Sequence, residues 1–157
     1  MMEKIYIETT VVSYLTAFPS RDIIVLGKQE ITHETWPLIA DRFEPFISAL
    51  VLQEISKGDA NAASKRLDAV KNLALLGITA EAESAAALLL DKRAVPAEFP
   101  EDALHIAIAA VNGMEYLLTW NFSHINNAFT ANMIRRTVEA AGYSCPVICS
   151  PEELITG

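Results

Sequence analysis

The chain has 157 residues, of which 52% are hydrophobic, and its 12 basic against 20 acidic side chains give a formal net charge of −8. That length suits one folded unit spanning 1–157, able to remove roughly two-thirds of its unfolded surface from water without a metal or disulfide. The acidic balance argues against a general nucleic-acid coat, although Arg21, Lys28, Lys92, Arg93, Arg135 and Arg136 are available for a locally basic groove. No apolar run approaches a membrane span. Cys145 and Cys149 flank a strand pattern, which sets their Cα atoms about 13 Å apart, beyond the about 7 Å limit for a disulfide. Free thiols, and a start that enters a strand pattern with no leader-type segment, predict a cytoplasmic protein.

In chain order, Lys4 to Glu8 is apolar and β-branched enough for a buried strand, with Glu8 at its carboxyl end and Thr9 and Thr10 placed to cap a helix through Leu15. Asp22 to about Arg42 predicts a long helix that buries Ile23, Ile24, Ile31, Leu38 and Ile39, although Trp36 and Pro37 interrupt the pattern. Pro45 to Ser48 predicts a second strand, and Ser48 caps a short helix carrying Val51, Leu52, Glu54 and Ile55. Glu54 stands on the unfavourable end of that helix's dipole, which suggests a reason for it other than helix stability. Asp59 caps a helix through about Leu75, Leu75 to Ile78 is a weak strand pattern, and Thr79 opens a helix to about Arg93.

Pro100 to Asn121 is the stretch around which the rest is organised. Pro100, Glu101 and Asp102 make a helix start where proline is tolerated and negative charge is favoured. The helix runs apolar to Gly113, and Glu115 to Trp120 predicts a strand that leaves Asn121 just past its end. A helix from Ala131 to Ala141, a last strand from Pro146 to Cys149 and a helix start at Ser150 to Glu153 complete the chain. Alternating strands and helices predict an α/β fold with a parallel sheet covered on both faces.

Glu8, Glu54, Asp102 and Asn121 then fall where ligands bind in open parallel sheets, beyond the strands' carboxyl ends. Each alone has an ordinary structural role, as a strand end, a helix surface residue, a dipole partner or a turn former. Gathered at one sheet edge, the carboxylates repel unless protonated or bridged by a cation. An all-oxygen cluster suits Mg²⁺ or Mn²⁺ rather than zinc. Thr9 and Thr10 can cap their helix and also hydrogen-bond a neighbouring carboxylate. His105 lies one turn after Asp102 among Leu104, Ile106 and Ile108, as a hydrogen-bonded core histidine would. His124 is the better placed to touch substrate, and His33 belongs to a solvated helix face. Trp120 packs under the site or stacks an unpaired base. Val11, Val12, Tyr14, Leu15 and Phe18 offer an apolar surface beyond what one strand's cover needs.

The segments YIETTVVSYL, VLQEI, PEDALHIAIAA and YLLTWNFSHI, in that order, resemble the PIN-domain ribonucleases and among them the VapC-like toxins of type II toxin-antitoxin pairs. The resemblance runs from Lys4 to Leu154. It implies a three-layer PIN-like fold with a central parallel sheet of four to five strands, and hydrolysis of single-stranded RNA at an acidic pocket holding Mg²⁺ or Mn²⁺. Glu8, Asp102 and Asn121 would then hold metal directly or through water, and Glu54 would hold metal or orient the attacking water. It also implies self-pairing into a dimer and a small antitoxin partner. The chain departs from the family pattern at Glu8, where aspartate is usual, and at Asn121, where aspartate is frequent. Two other functions stand beside this one: a PIN-fold binding or regulatory module whose site has drifted, and a small metal-dependent phosphatase, for which Glu8 is a poor substitute for an aspartyl nucleophile.

Overall fold

The computed structural model describes residues 2–155. Its elements are β1 (Glu3–Ile7), α1 (Thr9–Thr16), α2 (Ile23–Arg42), β2 (Phe43–Ser48), α3 (Ala49–Ile55), α4 (Ala60–Val70), β3 (Ala74–Leu76), α5 (Ala80–Asp91), α6 (Pro100–Val111), β4 (Tyr116–Leu118), α7 (Ala131–Ala140), β5 (Val147–Cys149) and α8 (Pro151–Ile155). All strand pairs are parallel, in the order β3-β2-β1-β4-β5. The expected α/β sheet flanked by helices is therefore the observed fold, with five strands.

The order has a mechanical consequence. The chain starts in the middle of the sheet, builds outward through β2 and β3, then crosses back to add β4 and β5 on the other side of β1. Right-handed crossovers then put α1 to α4 on one face and α5 to α7 on the other. Packing of α1 on α2 and α4, and of α5 on α6 and α7, agrees with that division. The reversal of direction lies between β1 and β4, the place where open parallel sheets carry their ligand sites, beyond the carboxyl ends of the strands.

Burial follows position in the sheet. Ile5, Tyr6 and Ile7 of the central strand are fully buried, as are Leu117 and Leu118 beside them. Helix α6 is buried almost all round, because Ala103, Ala107, Ala109 and Ala110 let its backbone approach its neighbours closely. Gly113 ends that segment at φ 69°, a left-handed conformation that a side chain would strain. Asp22, Ser48, Asp59 and Thr79 each accept a backbone N–H at the start of α2, α3, α4 and α5.

Several expectations are corrected. In α2, Ile23 and Ile24 are 81% and 68% exposed, while Gln29, Thr32, Thr35 and Ile39 are buried. The threonines are tolerated inside because each hydroxyl donates one turn back, Thr32 to the Lys28 carbonyl (2.7 Å) and Thr35 to that of Ile31 (2.8 Å). The helix runs unbroken through Pro37. Helix α4 stops at Val70, well short of Leu75, which belongs to β3. Val11 and Val12, expected on an extra apolar surface, are core residues, whereas Phe18 is 81% exposed.

Candidate active site

Glu8 is the first residue past β1, and its backbone N–H continues the sheet by donating to the Leu118 carbonyl of β4 (3.0 Å). Its side chain is buried, with Oε1 accepting from the hydroxyls of Thr10 (2.5 Å) and Thr119 (2.6 Å). Thr10 also accepts the Trp120 N–H (2.9 Å), and Thr119 accepts that of Asn121 (2.9 Å). The two threonines thus tie the start of α1 to the end of β4 through one carboxylate oxygen. Thr9 and Thr10 do not cap α1, since Glu8 holds the cap position and makes no side-chain cap bond there. Their hydroxyls are turned to carboxylates instead.

Glu54 enters from α3. Its Oε1 accepts from Thr9 (2.5 Å) and lies 2.7 Å from His105 Nε2. Glu8 Oε2 is 4.0 Å from the same nitrogen. One ligand atom from each of Glu8, Glu54 and His105 falls within 4.8 Å of the others. The expected all-oxygen grouping is thereby amended, because a buried imidazole shares it. His105 is buried and hydrogen-bonded, and it also meets Glu54, a partner that its place one turn after Asp102 did not indicate.

Behind His105 the polar chain continues inward. Nδ1 is 2.7 Å from the Tyr6 hydroxyl, which is 2.8 Å from Ser48 Oγ, and Ser48 caps α3 by accepting the Val51 N–H (3.2 Å). Burial, with the charges of Glu8 and Glu54 adding to it, pushes the Tyr6 hydroxyl far up, so it stays protonated. Burial opposes a charge on His105, but the Glu54 hydrogen bond and the charges of Glu8, Glu54 and Asp102 outweigh it and raise its proton affinity. For Glu54, partial burial is likewise outweighed by the His105 hydrogen bond and charge and by Thr9, so its carboxyl titrates below the usual range.

Asp102, expected among the ligands, stands outside that 4.8 Å grouping although its charge acts on His105, and the Asn121 N–H is donated to Thr119 beside Glu8. Asp102 Oδ2 lies 3.0 Å from His124 Nδ1, and the Asn121 amide oxygen accepts the His124 backbone N–H (3.0 Å). Asn121 is thus a turn former as its residue type suggests, with a second lone pair left on its oxygen. Trp120 packs under the site, buried, with its indole N–H donated to Thr32 (2.8 Å). Sequence reasoning missed Tyr6, Ser48 and Thr119. A signal existed for Tyr6, since a tyrosine in the middle of a buried strand must find a partner for its hydroxyl.

The donor set fits a divalent cation. Among the described residues, the ion pairs of Glu8 and Glu54 are with His105, and the Lys57 charge acts on Glu54 without forming a contact pair. Two carboxylates so close, hydrogen-bonded by neutral hydroxyls and offset by at most one imidazolium, leave negative charge that a cation would balance. Oxygen donors with one imidazole suit Mg²⁺ or Mn²⁺, and the nitrogen widens the choice toward other transition ions.

No protein-family model and no curated protein matches the chain. Solved structures do, the following two among them. Rickettsia felis VapBC2, bound to a DNA fragment from its promoter, superposes with a TM-score of 0.60 at 14% identity, covering 94% of this chain and 98% of that one. Mycobacterium tuberculosis VapC20, a Sarcin-Ricin loop cleaving toxin, superposes with a TM-score of 0.57 at 16% identity, covering 88% and 95%. Identities this low show the fold alone. The chain has the PIN-like fold of these VapC structures, in agreement with the resemblance of its motifs.

Proposed function

We propose that this chain is a metal-dependent endoribonuclease that cleaves single-stranded RNA and serves as the toxin of a toxin-antitoxin pair. The observation that carries the reading is the convergence of Glu8, Glu54 and His105 within 4.8 Å where strand order reverses. The VapC20 neighbour, named as a Sarcin-Ricin loop cleaving toxin, supports the reaction class by likeness of fold. A divalent ion bound there would polarise the scissile phosphate and neutralise charge building on its oxygens.

The chain's own residues supply position. Thr10 and Thr119 hold Glu8 through Oε1 and leave Oε2 turned toward the cluster. Thr9 and His105 hold Glu54 in the same way, so that it binds the cation or orients the attacking water. Asp102 of α6 and Asn121 past β4, both bound to His124, would add donors beside that grouping. Because these groups sit on strand ends and buried helices, little reorganisation is needed when charge develops.

The VapBC2 neighbour supports an antitoxin partner, and exposed Phe18, Ile23 and Ile24 provide an apolar patch for such a protein or for a second copy in a homodimer. No described helix is long and apolar enough to cross a membrane. We place the protein in the cytoplasm as one PIN-like unit over 1–157.

A second reading, the drifted binding module, is favoured by one observation. His105 and the three threonines satisfy the carboxylates without an ion. One experiment separates the two: incubation of mixed single-stranded RNA with Mg²⁺, Mn²⁺ or chelator, beside Asp102→Asn. Cleavage that requires metal and disappears in the variant supports the nuclease. Folded protein that never cleaves supports the module.

A further inference from the structure

Phe99 occupies the N-cap of α6, where a serine, threonine or aspartate would satisfy a free N–H, and its side chain makes no cap bond. Helix stability therefore does not account for it. Its backbone is held at both ends, with its N–H on the Pro96 carbonyl (3.0 Å) and its own carbonyl accepting from Asp102 (3.2 Å). The ring stacks on His124, 3.9 Å between centroids and 26° between planes, yet 41% of the residue faces solvent. His124 is itself fixed by Asp102 and Asn121.

A second exposed aromatic follows Asn121. Phe122 is 37% exposed and meets Trp120 edge-on, with centroids 5.9 Å apart. The Lys28 ammonium stands 4.9 Å from the Phe122 centroid and 5.6 Å from that of Trp120. Rigid aromatic surface and a cation thus border the carboxylates, in a chain whose net charge is −8. Aromatic faces beside a positive charge are the elements by which proteins hold unpaired bases and their backbone. An apolar protein partner fits less well, because Asp102, Asn121, His124 and Lys28 break up the apolar area.

We propose that Phe99 and Phe122 are base-stacking positions for single-stranded RNA crossing the carboxylate site, with Lys28 supplying positive charge to the backbone. The proposal rests on the nuclease reading of the same site and names its specificity elements. A rigid platform loses little freedom on binding, so its contribution appears in affinity.

The test measures binding apart from cleavage. Single-stranded RNA carrying 2-aminopurine is titrated with the intact protein in chelator, and quenching of the fluorophore reports stacking. The expected result is quenching by the wild type, with affinity weakened about 5- to 100-fold in Phe99→Leu and in Phe122→Leu. Phe99→Tyr, which keeps a ring, should restore it. Lys28→Gln should lower the salt dependence of binding by about one charge's contribution. Circular dichroism confirms that each variant is folded.

Leucine variants that bind and quench as the wild type does would overturn the proposal, as would a wild-type protein that does not bind the RNA. Stacking-dependent binding without cleavage in any metal would instead remove the nuclease reading and leave the platform standing. Metal-dependent cleavage unaffected by both leucine variants would do the reverse.

Discussion

His105 and Glu54 are joined by a 2.7 Å contact from Nε2 to Oε1 between two helices that meet only in the folded chain. The imidazole is 1% exposed and the carboxylate side chain 26%, so the pair lies at the edge of the core rather than deep in it. Each partner favours the charged form of the other, and three consequences of the geometry around them, with a fourth at β5, can be measured.

Stability should vary with pH through this pair. Glu54 titrates below its usual value of 4.5 when folded, so its contribution is present above about pH 4.5 and is lost as pH falls through the lower folded value. His105 titrates above 6.5 when folded, so its contribution is complete below about pH 6.5 and is lost as pH rises through the higher folded value. Urea melts in chelator should therefore show the pair's full effect between about pH 4.5 and 6.5, and His105→Gln should flatten the profile at both ends. An unchanged profile would show that the pair does not carry the dependence.

Glu8→Gln should separate folding from activity. The amide retains an oxygen to accept the Thr10 and Thr119 hydroxyls, so stability should change by less than about 1 kcal/mol. RNA cleavage should fall by roughly 100-fold or more, since a ligand charge is lost. Added Mg²⁺ should raise the melting temperature of the wild type and not that of the variant.

Thr119 should matter through its hydroxyl alone. Thr119→Val keeps the shape but removes both the bond to Glu8 and the acceptor for the Asn121 N–H, at a cost of about 1 to 3 kcal/mol in a denaturant melt. Thr119→Ser should recover most of that loss. Equal melts for the two variants would exclude the role.

Both thiols should be inert in the native protein. Burial, with Glu139 adding to it, pushes Cys145 up to about 11, and burial with Glu153 pushes Cys149 up to about 12. Iodoacetamide at neutral pH should label neither, and unfolding should expose both. Rapid native labelling of Cys149, which is 3% exposed, would contradict the packing of β5.

Much of the fold was legible because its signals are local. Ser48, Asp59 and Thr79 cap helices where their residue types suggest, since a cap involves neighbours two or three positions along the chain. Each strand was found near its place from a short apolar run, the weakest pattern being that of β3, which is largely exposed. The failures came where one end of the chain decides the burial of another. Of the apolar residues expected on the inward face of α2, Ile39 is buried and Ile31 packs on the core, but Ile23 and Ile24 face out, and the face also carries Thr32, which receives Trp120, and Thr35, which reaches Pro151.

The sequence by itself determined that carboxylates would stand at the ends of strands and on an unfavourable helix end, because strand periodicity and helix polarity are properties of a few adjacent residues. Only the tertiary structure decided which of them meet. The return of the chain past β1 to form β4 brings Thr119 to Glu8, and the packing of α6 turns His105 toward the two glutamates. Hydrogen bonds of 2.5 to 2.7 Å between residues dozens of positions apart depend on how crossovers place whole elements, which no local pattern encodes.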